Sequence, residues 1–92
     1  MNREIREVLE KGIGSKGKLR ILITLAENPG LSKYMLERIT GIRSKTLNSN
    51  LYTLIELNWV REETNHVKRY YLNLENDIAA LLLKFFRDSN VI

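Results

Sequence analysis

The spacing of apolar residues changes near residue 58. Before that point they recur every three or four positions, which predicts an amphipathic helix over about 44–57. After it come two stretches of strand-forming residues, 59–64 and 67–74, separated by the polar pair Asn65 and His66. Such a pair predicts a hairpin turn, with Asn65 in the left-handed conformation. A helix that leads directly into a hairpin restricts the chain to a few mixed folds.

Three helices are predicted upstream, each with a residue that favours a boundary. The first covers about 2–11 and is interrupted at Gly12. Ser15 is expected to cap the second helix, and Ser32 begins a short third one. Gly41 ends the third helix, because the chain reverses there and needs a residue that tolerates positive φ.

Downstream, the second strand and a last helix are both rich in apolar side chains. Tyr70, Leu72 and Leu74 alternate, so we expect all three on the side of the hairpin that packs on the helices. The last helix opens at Asp77. We expect one domain over 1–92, with a core of about 15–75 and a C-terminal helical segment over 76–92.

Composition excludes several classes of site. The chain has no cysteine and one histidine, so disulfides, thiolate metal sites and thiol nucleophiles are not expected, nor is any metal or cofactor. No apolar run reaches 18 residues and no signal-peptide pattern opens the sequence, which predicts a soluble, cytoplasmic protein without a membrane partner. No catalytic pair or phosphate-binding loop is visible either, so the sequence does not predict an enzyme.

Charge points to a polyanionic partner. The formal net charge is +4 and the isoelectric point about 9.6. The excess of lysine and arginine lies in the first two-thirds of the chain, whereas the last seventeen residues are neutral. These cations could equally well solvate the surface, so charge alone does not identify the partner.

The segment from Leu31 to Leu74 carries the functional signal. A short helix, a turn at Thr40-Gly41-Ile42 and a second amphipathic helix make a helix-turn-helix. The second helix places short polar and cationic side chains opposite its leucines. Such a face can approach a negatively charged groove and offer donors and acceptors to base edges.

In this segment the sequence resembles the winged helix-turn-helix regulators of the MarR and ArsR kinds, especially short archaeal ones. The resemblance covers about 15–75 and rests on Lys18-Leu19-Arg20-Ile21-Leu22, Leu31-Ser32, Thr40-Gly41-Ile42 and Tyr70-Tyr71-Leu72. It implies a mainly α fold with a small β-hairpin (α+β), in which N- and C-terminal helices flank the winged helix-turn-helix.

The resemblance also implies roles for individual residues. Base-reading residues would be Arg43, Ser44, Lys45, Thr46, Asn48 and Ser49. Contacts to the DNA backbone would come from Ser32, Lys33 and Tyr34. The hairpin, or wing, would contribute Asn65, His66, Lys68 and Arg69. Apart from the resemblance, Lys16 and Lys18 at a helix start and Tyr52 on the polar face of the second helix are further candidates for backbone contacts.

Three positions depart from the family pattern. Arg43 stands where a serine or threonine cap is usual, so we expect Ser44 to be the cap and the helix to start one residue later. Glu37 replaces a small residue, which puts close helix packing in doubt. Asn58 replaces a glycine after the helix, a change that costs little because Asn tolerates the left-handed conformation. The cysteine and histidine clusters of metal-sensing ArsR relatives are absent, so metal sensing is not implied.

The last helix is too apolar for the surface of a small domain, which suggests a homodimer interface. The residues assigned to that interface are Ile78, Leu81, Leu82, Phe85 and Phe86, with Ile5 and Leu9 from the first helix. In a dimer of this kind, two recognition helices would address successive major grooves of one duplex.

The sequence therefore predicts a sequence-specific double-stranded DNA-binding protein, a homodimeric transcriptional regulator associated with the nucleoid. Two alternatives remain open: a low-specificity chromosomal DNA-binding protein of the same fold, and a winged-helix protein-interaction module. The operator, the regulated genes, the direction of regulation and any small-molecule effector are not readable from the sequence.

Overall fold

The computed structural model describes the backbone of residues 3–92 and the side chains of residues 7–92. Five helices and three strands follow one another along this part of the chain. They are α1 (Arg3–Ile13), α2 (Lys16–Glu27), β1 (Leu31–Ser32), α3 (Lys33–Thr40), α4 (Ser44–Glu56), β2 (Val60–Asn65), β3 (Val67–Leu72) and α5 (Asp77–Asp88). No helix in this range is long and apolar enough to cross a membrane.

Side-chain caps fix the beginnings of three helices. The Ser15 hydroxyl accepts a hydrogen bond from the Lys18 amide at 3.2 Å, and the Ser32 hydroxyl accepts one from the Met35 amide at 3.2 Å. Both serine caps were expected, because a side-chain oxygen satisfies an amide that has no partner in the first turn. Asn76 caps α5 in the same way.

The predicted boundary of the first helix was wrong, because α1 continues through Gly12 to Ile13. A glycine inside a helix costs about 1 kcal/mol relative to alanine, which is why the sequence indicated an end there. Here Gly12 is buried against Trp59, and a Cβ atom on it would fall 2.0 Å from the indole ring. The missing side chain makes room for Trp59, so Gly12 serves packing rather than helix termination.

The strands form a three-stranded antiparallel sheet in the order β1-β3-β2. The predicted hairpin is confirmed, with Val60 opposite Leu72 and Asn65 opposite Val67. This register leaves only His66 to reverse the chain, and its φ of 73° makes His66, not Asn65, the left-handed residue. The short strand β1 was not predicted.

The core surrounds α2 and is almost wholly apolar. Its fully buried side chains are Ile21, Leu22, Leu25, Leu36, Leu47, Leu54, Trp59 and Val60. Tyr70 and Leu72 face this core as expected, whereas Leu74 is 54% exposed. The alternation fails at Leu74 because β3 ends at Leu72 and the chain leaves the sheet.

Candidate nucleic-acid interface

A turn of three residues sets the angle between α3 and α4. Gly41 has a φ of 72°, the left-handed conformation expected for it. The Thr40 hydroxyl donates to the Leu36 carbonyl at 2.6 Å and accepts from the Ile42 amide at 3.2 Å. Arg20 of α2 donates to the Thr40 carbonyl at 3.1 Å. The side chains of Thr40 and of Arg20 therefore hold the turn in place. Sequence reasoning missed Arg20, because its partner lies twenty residues away.

Helix α4 has one buried face and one exposed face. Leu47, Leu51 and Leu54 are buried and anchor it to the rest of the domain. The side chains expected to read bases are all exposed: Arg43, Ser44, Lys45, Thr46, Asn48 and Ser49. The structure thus brings the six residues together along the first two turns of one helix.

Arg43 corrects the expected start of α4. It occupies the N-cap position with extended backbone, and its side chain makes no capping hydrogen bond. Ser44 is already the first helical residue, so the expectation that Ser44 caps the helix was wrong. Without a capping side chain, the first amides of α4 remain available to an anion at this end. Asn58, just beyond the other end, is left-handed as expected, with a φ of 62°.

Within the part of the chain whose side chains are described, the cations expected to contact DNA have no acidic partner. Between side chains of residues 7–92, ion pairs join Arg61 to Glu63, Lys68 to Glu62, and Lys84 to Asp88. None involves the cations expected to contact bases or phosphates, namely Arg43, Lys45, Lys16, Lys18 and Lys33. Their charges are therefore available for an external anion.

The beginning of α3 supplies a second group of exposed polar atoms. Ser32 and Lys33 are half-buried and Tyr34 is exposed. The Ser32 hydroxyl is already used as the helix cap, so an anion would meet backbone amides and Lys33 there. Arg38 donates to the Tyr34 hydroxyl at 3.2 Å and lies over its ring. Arg38 was missed, although its spacing of four residues from Tyr34 could have indicated the pair.

Tyr52 lies farther along the exposed face of α4. A hydrogen bond to Glu56 and the charge of that carboxylate raise the pKa of Tyr52 above its ordinary value. The phenol is thus directed toward the acidic end of α4, away from the cations at its beginning. Of the remaining residues expected to contact the backbone, Lys16 is exposed and Lys18 half-buried at the start of α2.

The wing is exposed, but its cations have partners within the domain. Asn65, His66, Lys68 and Arg69 are all exposed, as expected for residues at its tip. Lys68, however, lies 4.0 Å from Glu62, and Arg69 donates to the Gly30 carbonyl at 2.8 Å. Arg69 thereby ties β3 to the loop that precedes β1, which gives it a structural role that the sequence did not indicate.

The residues assigned to a dimer interface divide into three groups. Leu81 and Phe85 are 64% and 61% exposed, and Ile78, Leu82 and Leu9 are half-buried. Phe86 is only 2% exposed, because it faces the core on the opposite side of α5, so its assignment to an interface is corrected. The side chain of Ile5 lies outside the described residues.

Comparison with known proteins rests on three-dimensional structure. No protein-family model matches the sequence, and no curated protein matches it at a significant level. The transcriptional repressor BigR from Xylella fastidiosa matches with a TM-score of 0.81 and 27% identity, over 91% of this chain and 81% of BigR. HlyU from Vibrio cholerae matches with a TM-score of 0.80 and 19% identity, over all of both chains.

A third match is a domain of Mb0332 from Mycobacterium bovis, described as a homodimeric winged helix-turn-helix DNA-binding domain. Its TM-score is 0.75 at 18% identity, over 95% of this chain and 79% of that one. The chain has the winged helix fold. Within that winged helix, α3, the turn and α4 are the helix-turn-helix, and β2 and β3 are the wing. The resemblance to winged helix regulators is thus confirmed.

Proposed function

We propose that this protein is a sequence-specific double-stranded DNA-binding regulator that inserts α4 into the major groove. One observation carries the proposal: the first two turns of α4 expose polar and cationic side chains, while buried leucines hold the helix from beneath. The fold supports it, because its neighbours include a transcriptional repressor and a DNA-binding domain. As a DNA-binding regulator, the protein would act at the nucleoid.

The residues on α4 suit the donor and acceptor pattern of the major groove. Arg43 and Lys45 can donate to guanine O6 and N7, and the Asn48 amide can pair with adenine. Ser44 and Ser49 are short enough to let the helix approach the bases closely. Lys33 and the first amides of α3 would contact phosphates, which fixes the position of the helix without reading sequence.

We further propose that the protein binds DNA as a homodimer through α5. Leu81 and Phe85 lie one helical turn apart and are 64% and 61% exposed, so they form an apolar patch on α5 that a second subunit could cover. A two-fold axis beside α5 would present two copies of α4 to successive major grooves. The bound site would then contain two related half-sites about one helical turn apart.

The proposal is tested by measuring affinity for two kinds of duplex. Sequences that the protein retains from a random library provide the specific duplex, and a scrambled sequence provides the control. We expect Arg43→Ala and Lys45→Ala each to weaken binding to the selected duplex by about 1–3 kcal/mol. Lys84→Ala is the matched variant, because it also removes one cation but lies on α5 and pairs with Asp88.

The outcomes separate the three candidate functions. Loss confined to the selected duplex supports base reading by α4. Equal loss on selected and scrambled duplexes would assign Arg43 and Lys45 to phosphate contacts and favour a low-specificity chromosomal protein. No binding to any duplex at low salt would leave the protein-interaction module, because phosphate contacts alone normally give measurable affinity under those conditions.

A further inference from the structure

A cleft of about 670 Å³ opens on the domain, and no residue of α4 lines it. Its walls come from the end of α2, the base of the hairpin, the β3–α5 loop and the second half of α5. This volume lies within the range of sites that enclose small organic ligands. None of the residues assigned to DNA contacts or to the dimer interface lines it.

Part of the wall is apolar. Leu25, Leu74 and Leu83 come from three different elements and all line the cleft. Leu74 was predicted to pack on the helices but is exposed, and its side chain forms part of this wall instead of the core. The cleft can therefore remove an aliphatic or aromatic group from water, which favours binding of such a group.

Two of the charged residues in the cleft satisfy each other. Arg61 lies 2.5 Å from Glu63, and its guanidinium lies 4.5 Å from the centre of the Tyr71 ring. All three side chains line the cleft. The pair Arg61–Glu63 adds little net charge, so it forms a flat polar wall and does not attract one sign of ligand over the other.

Two further charged residues in the cleft remain unpaired. Arg87 of α5 and Glu75 of the β3–α5 loop both line it. Neither forms an ion pair within 4.0 Å with any residue from 7 to 92. Both side chains are exposed, so one cation and one anion lie at the border of the same cleft without an ion-pair partner.

We propose that this cleft binds a small zwitterion with an apolar body, which is the chemistry of an apolar α-amino acid. The Arg87 guanidinium would bind the carboxylate, for which its planar pair of N–H donors is suited. The Glu75 carboxylate would bind the ammonium group. The aliphatic or aromatic side chain would lie against Leu74 and Leu83.

The position of the cleft gives such a ligand a regulatory consequence, which rests on the proposed DNA-binding function. The ligand would contact the base of the wing and α5 together, and these two elements carry the proposed DNA and dimer surfaces. A ligand that prefers one arrangement of the two elements changes affinity for DNA, and DNA then changes affinity for the ligand by the same factor.

Titration calorimetry on the whole chain tests the ligand chemistry directly. The probes are L-leucine and L-phenylalanine, with isocaproate, which lacks the amino group of leucine, and isopentylamine, which lacks its carboxylate. We expect both amino acids to bind and each truncated analogue to bind at least about tenfold more weakly. The variants are Arg87→Gln and Glu75→Gln, with Lys84→Gln as the control outside the cleft.

Arg87→Gln should lose the preference for leucine over isopentylamine, and Glu75→Gln the preference for leucine over isocaproate, whereas Lys84→Gln should match the wild type. Absence of amino-acid binding, or unchanged preferences in both variants, overturns the inference. The same variants are assayed on duplex DNA without amino acid. Normal DNA binding without amino-acid binding defeats this inference alone, and amino-acid binding without DNA binding defeats the proposed function alone.

Discussion

At the scale of single residues, the turn between α3 and α4 depends on the backbone freedom of Gly41. Its φ is 72°, and a Cβ atom there would have no neighbour within 4 Å. Substitution should therefore cost only backbone strain. We expect Gly41→Ala to lower the free energy of unfolding by about 1–2 kcal/mol. Gly41→Asn should lose less stability, because Asn adopts the left-handed conformation more easily than Ala does. Urea denaturation of both variants checks this order. Equal losses of stability in the two variants would contradict backbone strain as the cause.

A buried phenol gives the protein a stability that depends on alkaline pH. Burial, followed by the charge of Glu62 and a hydrogen bond to it, raises the pKa of Tyr70 above its ordinary value of 10.0. Below pH 10 the group is protonated in both the folded and the unfolded chain. As pH rises further, the unfolded chain releases this proton first, so the free energy of unfolding falls until pH passes the folded-state pKa.

We therefore expect the wild type to lose stability more steeply above pH 10 than Tyr70→Phe, which has no proton to release there. Denaturation curves at several pH values between about pH 8 and about pH 11 measure how steeply the free energy of unfolding falls with pH. Tyr34→Phe is the control, because Tyr34 is exposed on α3. A slope that is the same for wild type and Tyr70→Phe would contradict this explanation.

Sequence reasoning at this scale succeeded where the cause is local. Ser15, Ser32 and Gly41 act on the backbone within three or four residues, so their roles can be read from order alone. His66 was missed because strand register decides which residue of the turn takes positive φ. Phe86 was misassigned because apolar character does not reveal which side of α5 meets the core.

At the scale of elements, the wing carries two carboxylates beside its three cations. Glu62 and Glu63 lie on β2, opposite Tyr70 and Arg69 of β3. They reduce the attraction between the wing and a phosphate backbone. We expect the double change Glu62→Gln with Glu63→Gln to raise affinity for scrambled duplex several-fold at low salt and less at high salt, because salt screens the added attraction.

Fluorescence anisotropy at two salt concentrations measures this effect. Glu27→Gln is a suitable control, since it removes one exposed carboxylate at the end of α2, outside the wing. If the wing variant binds scrambled duplex no better than Glu27→Gln does, the wing does not approach the DNA backbone.

The elements that sequence reasoning missed depend on distant partners. Strand β1 is two residues long and exists because Leu31 and Ser32 pair with Tyr70 and Arg69 of β3. Nothing within the local sequence indicates that pairing. Helix α1 likewise continues past its glycine because of Trp59, which lies 47 positions further along the chain. The helices and the hairpin, by contrast, follow from local periodicity and were predicted correctly in kind and order.

At the scale of the whole molecule, the proposed dimer depends on the exposed side of α5. We expect Leu81→Glu with Phe85→Glu to give a monomer, because two buried charges without partners would oppose association. Sedimentation equilibrium measures the mass. Ile39→Glu is the matched control, since Ile39 is also an exposed apolar residue but lies on α3. If the α5 double variant is still a dimer, the interface lies elsewhere on the molecule. If the wild type is a monomer, the proposed dimer is excluded.

The most direct test of the whole account is to map a bound duplex onto the backbone amides of isotope-labelled protein by NMR. The account predicts the largest shift changes over Arg43 to Ser49, with smaller ones at the start of α3 and the tip of the wing. Amides in the second half of α5 should change little on DNA addition beyond any effect of dimerisation. Unchanged amides across the first two turns of α4 in a saturated complex would contradict duplex recognition by this helix.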